Sequence, residues 1–494
     1  MAMQNIKDRT LVKMLACLDR KQRKGFREYL QCRLFNTNAT LVELYDRLEA
    51  KALKDKPAFL DAKGLLKGTG IAESMLGKLL SQLLGLLRDF VGLWAGRENG
   101  KAAHGMALRA WYEMGLDEKL LEREYRKMKT QFEGPPRNEM DIFHALQLES
   151  SFAHVMASRP RKDQAGLFPL HHQLLEDFYV VAKLKYLLAS ANAKHVFKDG
   201  IPELVAEFTP ERINALPAIG WAYYQALLLL LSKEKDLEAA EAFFSFLTSE
   251  GAHFPKDEVA DLYISLLNAS FLGASQGDAG FERLVYLAYN EMYQQGILTG
   301  GDGLISGANF KNMVSAKTRV GAVEEAWEFI QENKQFLMEG ERETVVNYTE
   351  GLVLFCENRF SEAQKTFMAI VQGSSEDMFW GMAARNMIWK TYFELYESLS
   401  FEEHEKMLNL YHSYRVFVSR NTRISDLYKR MYMNFIRVFN RLVNLEDTGF
   451  RTSTAAELKS LYVEVEEMEE IANKSWMLKA IERRIGRENG GAFG

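Results

Sequence analysis

The sequence predicts an all-α protein in which helical hairpins stack side by side. The first observation is a recurrent hairpin pattern, clearest over residues 351–367, where Gly351 precedes a polar turn and then Ala363 and Phe367, four residues apart. The second is that only 9 of the 494 residues are proline, so few helices are interrupted. The third is that alternation with β-branched residues never persists, which argues against strands. Hairpins of this kind bury their apolar faces against neighbouring hairpins.

Residues 1–95 are predicted to form a basic helical N-terminal module. Leu11, Leu15 and Leu18 recur at helical spacing. The segment 71–94 is the strongest helix of the module, and we expect it to be the central one. One stripe of that segment carries six leucines, namely Leu76, Leu79, Leu80, Leu83, Leu84 and Leu87.

Three further segments are predicted along the chain. A glycine-containing break at 96–101 separates the module from helical connecting hairpins at 103–200. Repeated hairpins then occupy 201–485, with a last helix expected at 454–485, and 486–494 form a flexible tail.

Spacing within the repeated part indicates irregular units. The alanine of the second helix recurs at Ala240, Ala326 and Ala363. The first interval is 86 residues, which fits two units of about 43, and the second is 37. A glycine-rich stretch at 296–307 interrupts the pattern between two hairpins.

The clearest hairpin resembles the tetratricopeptide repeat. Gly351, Ala363 and Phe367 lie at the separations of the glycine, the second-helix alanine and the following aromatic residue of that pattern. Two further pairs echo only its second half, since the aromatic residue early in the first helix is displaced and the terminal proline is missing. These pairs are Ala240 with Phe244 and Ala326 with Ile330. The resemblance implies an α-solenoid of tetratricopeptide-like hairpins.

The N-terminal region also looks like a family of uncharacterised bacterial helical-repeat proteins. The segments that carry this likeness are Phe26–Leu30, Phe35–Asn38, Leu41–Leu44 and Leu174–Tyr186. Because that family has no established activity, the resemblance implies the fold alone. As in tetratricopeptide proteins, it suggests a scaffold that binds peptides or other proteins.

Composition restricts the class of protein and its location. Hydrophobic residues make up 47% and charged residues 26%, which excludes a wholly disordered chain. The three cysteines, Cys17, Cys32 and Cys356, are too few for a disulfide framework and predict reduced thiols. No apolar run approaches the roughly 20 residues that a bilayer crossing requires. We therefore expect a cytoplasmic protein without a membrane partner.

Charge is distributed unevenly along the chain. Residues 1–130 contain 25 lysines and arginines against 16 acidic residues, a net charge of +9, whereas the remainder has 37 against 51, a net charge of −14. The basic residues are densest between the first two predicted helices, at Arg20, Lys21, Arg23, Lys24 and Arg27. Cations at helix ends are often only structural. They also suit contact with an anion, either nucleic-acid phosphate or an acidic protein.

Short motifs give no support for catalysis. The segment Gly273-Ala-Ser-Gln-Gly277 matches the G-x-S-x-G sequence pattern of a nucleophile elbow. However, the segment before it has the pattern of an amphipathic helix, whereas the elbow requires a strand. Thr299-Gly-Gly-Asp-Gly303 lacks the lysine of a phosphate-binding loop, so we interpret it as a loop between repeats. Glu250 and His253 form a single Glu-x-x-His pair, whereas a di-metal bundle requires two. We predict no catalytic residue, no cofactor and no metal.

The leading hypothesis is therefore a non-enzymatic scaffold that binds a protein or peptide. In the clearest hairpin, Tyr348, Leu352 and Phe355 would face the partner, although they could equally contact the next helix. The alternative is a nucleic-acid-associated regulator that uses the basic N-terminal module. The oligomeric state stays open.

Overall fold

Helices dominate the part of the chain that the structure describes. The computed structural model describes residues 5–6, 9–54, 60–98, 100–157, 167–194, 208–232, 236–275, 278–300, 303–373, 378–421, 426–444 and 454–490. Within these ranges, no β-strand is present, and an isolated antiparallel bridge joins Thr299 to Ile305. The predicted all-α class is confirmed.

The helices of the first 194 residues follow one another at short intervals. A π-helical segment, Glu49–Lys54, continues the third helix. The helices are α1 (Thr10–Cys17), α2 (Arg20–Gln31), α3 (Thr40–Leu48), α4 (Ala62–Leu66), α5 (Glu73–Glu98), α6 (Gly100–Glu113), α7 (Glu118–Lys129), α8 (Glu139–Met156) and α9 (Leu167–Lys194).

The remainder of the chain continues in the same way. Short 3₁₀ turns end several of its helices. The helices are α10 (Pro210–Asn214), α11 (Ala218–Leu231), α12 (Leu237–Glu250), α13 (Lys256–Ser275), α14 (Ala279–Gln294), α15 (Gly307–Arg319), α16 (Val323–Asn333), α17 (Glu339–Cys356), α18 (Phe360–Gln372), α19 (Met378–Leu395), α20 (Phe401–Arg420), α21 (Asp426–Asn444), α22 (Thr454–Glu467) and α23 (Lys474–Gly490).

Side-chain caps explain where several helices begin. The carboxylate of Asp19 accepts from the amide of Gln22, whose side chain accepts in turn from the Asp19 amide, forming a capping box before α2. Asp236 and Asp278 cap α12 and α14, and Ser306 accepts from the Asn309 amide before α15. These residues pair with amides that the helix itself leaves free.

Contacts divide the chain into two compact units. The first comprises residues 1–134 and 143–174, and the second comprises 135–142 and 175–494. The boundary predicted at 96–101 falls inside the first unit, because α5 and α6 follow each other directly and pack together. The predicted limit at residue 200 lies outside the described residues.

Helix α5 lies at the centre of the N-terminal packing, as its leucine stripe predicts. It contacts α1, α2, α3 and α4. Leu83 and Leu87 are fully buried, together with Phe26 of α2 and Tyr45 of α3. The aromatic rings of Phe26 and Tyr45 meet edge to face at 5.2 Å between centroids.

In the second unit, helices pack mainly on the next one or two along the chain. Consecutive helices from α11 to α19 contact each other throughout. Contacts between alternate helices accompany them, in the pairs α11 with α13, α12 with α14, α15 with α17, and α17 with α19. This pattern is typical of antiparallel hairpins that stack on their neighbours.

The hairpin of α17 and α18 depends on one glycine. A Cβ atom at Gly351 would lie 2.5 Å from Thr366 Oγ1 and 2.7 Å from the Phe367 ring. Ala363 and Phe367 are fully buried. A residue without a side chain at 351 thus lets the two helices approach closely, which is the packing that the sequence pattern predicts.

The C-terminal region differs from its prediction. Instead of one helix at 454–485, α22 and α23 are separated by a bend at 468–473. There the Ala472 amide donates to the Met431 carbonyl at 3.1 Å, and Asn473 adopts a positive φ of 56°. Asparagine tolerates this left-handed conformation better than most residues, which explains the break. Helix α23 then continues to Gly490, so the predicted tail overlaps it, and 491–494 lie outside the described residues.

No helix in the described ranges has both the length and the apolar character that a bilayer crossing demands.

Candidate functional site

Several cations of the second unit form no ion pair among the residues that the structure describes, and three of them share an electrostatic interaction. Lys311 and Arg319 belong to α15, and Lys390 belongs to α19. Among the residues that the structure describes, none of the three forms an ion pair within 4.0 Å. We call Lys311, Arg319 and Lys390 the cation cluster.

Two other lysines of the same unit, Lys185 and Lys317, are paired with carboxylates. The Lys185 ammonium lies 2.9 Å from Glu139 Oε1 and 2.6 Å from Glu258 Oε1. Lys317, on the same helix as two members of the cation cluster, lies 2.7 Å from Glu325 Oε2. Carboxylates therefore compensate these lysines within the fold but do not compensate the cation cluster.

Lys390 is held in place by a neutral partner. Its ammonium donates to Asn473 Oδ1 at 2.8 Å and lies 5.4 Å from the ring centroid of Trp476. Asn473 adopts its positive φ at the bend before α23, so the break in the predicted C-terminal helix supplies this contact. A cation–π contact and an amide orient an ammonium without neutralising its charge.

Burial and like charge together disfavour the protonated form of these lysines. The pKa of Lys390 is lowered to about 7, chiefly by burial and also by the charge of Arg319, while Cys356 of α17 opposes the effect. Burial and Arg319 also lower the pKa of Lys311. The charge of one guanidinium thus disfavours the protonated form of both ammonium groups.

Tyr348 lies on α17, the helix on which both α15 and α19 pack. Only 8% of its surface is exposed, and its ring packs edge to face on Phe367 at 5.7 Å and on Trp380 at 5.4 Å. Burial raises the pKa of the Tyr348 hydroxyl, and Arg319 opposes this. The pKa of Tyr432, from α21, is also raised by burial, to about 12. Neutral tyrosine hydroxyls can donate to an anion at neutral pH.

The other two predicted partner-facing residues are placed differently. Leu352 is partly buried. Phe355 packs on Phe360 of α18, with ring centroids 5.2 Å apart. Phe355 therefore contacts the next helix, which is the alternative that the sequence leaves open.

Most of the basic N-terminal residues already have contacts inside their own unit. Arg27 forms a bidentate pair with Asp46, at 2.7 and 2.9 Å. Arg23 donates to the Ala16 carbonyl at 3.2 Å, at the end of α1. The Lys21 ammonium lies 5.6 Å from the Trp94 ring centroid. Lys24 lies 3.9 Å from Glu28 at an exposed site, and Arg20 is exposed at the first position of α2.

The motifs considered in the sequence have structural explanations. Gly273 lies within α13, and a Cβ atom there would lie 2.3 Å from the Phe281 ring, so this glycine permits close helix packing. His253 Nδ1 lies 3.3 Å from Glu250 Oε2 in an exposed pair. In the described residues, no group of three or more histidine, cysteine, aspartate or glutamate side chains could hold a metal ion.

The glycine-rich loop borders a surface cavity of about 860 Å³. Ile297, Leu298 and Met338 contribute apolar surface to it, and the ammonium of Lys256 donates to the Gln295 carbonyl at 3.3 Å. No described lining residue carries a buried polar atom without a hydrogen bond. The lining of the cavity therefore indicates the chemistry of a ligand less clearly than the cation cluster does.

Sequence reasoning missed all three members of the cation cluster. Lys311 and Arg319 are 8 residues apart and Lys390 is 71 residues further along, so no short motif contains them. One signal was present, because Lys390 interrupts the apolar run from Met387 to Phe393. A lysine on an apolar helix requires either a partner or a function.

Comparison of the chain with protein-family models, with curated proteins and with solved structures finds no match. A partly buried group of cations without internal counterions can bind an external anion, since that anion would replace the missing carboxylates.

Proposed function

We propose that this protein is a non-enzymatic, cytoplasmic scaffold that binds a segment of another protein. In this proposal the hairpins from α11 to α19 form a tetratricopeptide-like superhelix. The neighbour-to-neighbour contacts of those helices and the glycine-dependent approach of α17 and α18 support it. A surface of this type offers side chains from several helices to one extended segment.

The cation cluster, whose members form no ion pair among the described residues, carries the proposal. Its three side chains come from two helices that both pack on α17, the helix of Tyr348. Burial of uncompensated charge costs stability. A partner that supplied negative charge would remove this cost, which provides a physical reason for binding.

A quantitative capture experiment tests the proposed function. The wild-type chain and an Arg319→Gln, Lys390→Met double variant would be immobilised separately and exposed to native lysate. We expect at least one protein to be retained by the wild type and lost from the double variant, and to bind again when purified. Identical sets of retained proteins on both would refute a partner site at the cation cluster.

The second proposal is a nucleic-acid-associated regulator, and exposed Arg20, Lys21 and Lys24 on α2 support it. The ion pair between Arg27 and Asp46 argues against this second proposal, because the Arg27 guanidinium already has a bidentate carboxylate partner. Phosphate contacts release counterions, so binding should weaken steeply with salt. Mobility shifts with random DNA and RNA at two salt concentrations test it, and no shift at low salt would exclude it.

A further inference from the structure

Helix α9 is apolar on two opposite faces, and one of them is exposed. Val181, Leu184 and Leu188 are buried on the inner face. The outer face carries residues that recur at intervals of four and three, which is the spacing of a seam between two helices. These residues, which we call the outer stripe, are Leu175, Tyr179, Ala182, Tyr186, Ala189 and Ala193.

The outer stripe leaves large apolar side chains in water. The exposed fraction is 54% for Leu175, 58% for Tyr179 and 71% for Tyr186. No charged residue interrupts the stripe, because helical spacing places Glu176 and Lys183 on its flank. A helix that is apolar on both faces is normally covered on both, and a continuous apolar patch marks an interaction surface.

Helix α9 is held firmly in the orientation that exposes the stripe. Its Lys185 ammonium pairs with Glu258 of α13 at 2.6 Å and with Glu139 at 2.9 Å. Two turns further on, Asn192 Nδ2 donates to Ser265 Oγ of α13 at 2.8 Å. These contacts fix the rotation of α9 against α13, so the stripe is available to a partner without rearrangement.

We propose that the outer stripe binds the same stripe of a second copy of this chain, with the two α9 helices antiparallel about a two-fold axis. An interface of this kind uses one surface patch twice. The axis passes level with the peptide bond between residues 180 and 181. This association is separate from the scaffold function and does not involve the cation cluster.

The sizes of the side chains fit this register. About that axis, Tyr179 lies opposite the partner's Ala182, and Tyr186 lies opposite the partner's Leu175. Each tyrosine ring therefore meets a smaller side chain, which lets the two stripes interdigitate. A parallel pair would instead place each tyrosine level with the same tyrosine and each alanine level with the same alanine. Crowded layers would then alternate with empty ones.

The charges beside the stripe are complementary in the same register. Glu176 and Lys183 lie on one flank, seven residues apart. In the antiparallel pair, Glu176 is offset by about 3 Å along the axis from the partner's Lys183, and the symmetry repeats this pair. The Glu176 side chain is 61% exposed and lies 3.7 Å from Arg212. The Lys183 ammonium lies 5.5 Å from the Tyr179 ring centroid, at the edge of the stripe.

Sedimentation velocity of the full-length chain over a wide range of concentration tests the association. The stripe is about 27 Å long, at the low end of stable interfaces, so we expect a Kd of about 1–100 µM. Tyr186→Glu should weaken the association at least about tenfold, because it places a charge in the seam. Phe379→Glu, at a position of α19 that is 67% exposed, is the matched control and should leave it unchanged. Circular dichroism confirms that both variants are folded.

An exchange of charges tests the antiparallel register. Glu176→Lys and Lys183→Glu should each weaken self-association about tenfold, since each homodimer then contains two pairs of like charge. An equimolar mixture of these two variants should associate about as tightly as the wild type, because both pairs are attractive in the mixed dimer. A mixture that associates no more tightly than its components overturns this register.

Two further results would overturn the proposal. One is a wild-type chain that stays monomeric at every concentration, and the other is equal weakening by Tyr186→Glu and Phe379→Glu. In a monomeric wild type, slow iodination of Tyr186 would identify a segment of the same chain as the occupant of the stripe.

Discussion

Gly351→Ala should destabilise the protein, although alanine is the better helix former. The added Cβ would lie 2.5 Å from Thr366 Oγ1 and 2.7 Å from the ring of Phe367. Neither neighbour is free to move, because Phe367 is fully buried and the Thr366 hydroxyl donates to the Ala363 carbonyl at 2.8 Å. The two helices would have to separate.

Two opposing terms give the magnitude. Replacement of a helical glycine by alanine stabilises by about 1 kcal/mol. Overpacking of a close helix contact costs about 1–3 kcal/mol. We therefore expect a net loss of up to about 2 kcal/mol in the free energy of unfolding.

Gly340→Ala, on the same helix, is the matched control. No atom lies within 4 Å of a Cβ at Gly340, so this substitution should stabilise by up to about 0.5 kcal/mol. Urea unfolding followed by circular dichroism compares the variants, and hydrogen exchange of α17 and α18 localises the effect. A shift of the unfolding midpoint in the same direction for both variants would show that Gly351 is not a close contact.

Three further predictions follow from buried groups. Ala363→Glu should destabilise by about 3 kcal/mol or more, because a charge would replace a fully buried methyl group; an unchanged melting curve would contradict the hairpin. The pKa of Lys390 is about 7 in the folded state against 10.5 for a free lysine, so the unfolded chain binds more protons between these values and stability rises with pH across them. Lys390→Met should remove this rise and stabilise the protein by about 2 kcal/mol near pH 6, and unfolding free energies parallel to wild type from pH 6 to 9 would refute it. Glu258→Gln should destabilise by about 2 kcal/mol, measured by urea unfolding, since it weakens the bonds to Lys185 and Tyr223; no change in midpoint would show that Glu139 alone suffices for Lys185.

Local patterns predicted the helices well. The leucine stripe of α5 and the small residues at Gly351 and Ala363 placed buried faces correctly, because helical periodicity depends only on nearby residues. The break between α22 and α23 was missed, since it involves the conformation of Asn473 and a hydrogen bond to Met431, which lies far back in the sequence.

The candidate site was harder to predict, for a physical reason. Its character comes from the absence of carboxylates around Lys311 and Lys390, and the sequence does not show which charges meet in space. The sequence instead predicts anion contact at the dense basic segment of the N-terminal module, yet Arg27 within that segment is paired with Asp46. Of the proposed partner residues, Tyr348 packs on Phe367 and Trp380, and Phe355 packs on Phe360.

The order in which helices pack in the second unit determines how this unit unfolds. Because these helices contact chiefly the next one or two along the chain, the helical hairpins can unfold one after another, starting from one end of the unit. Lys185 opposes such stepwise unfolding at one position, because it forms ion pairs with both Glu139 and Glu258, which are more than a hundred residues apart in the sequence. Truncation from the C-terminus should therefore lower the melting temperature in steps, and no single truncation should unfold the whole protein.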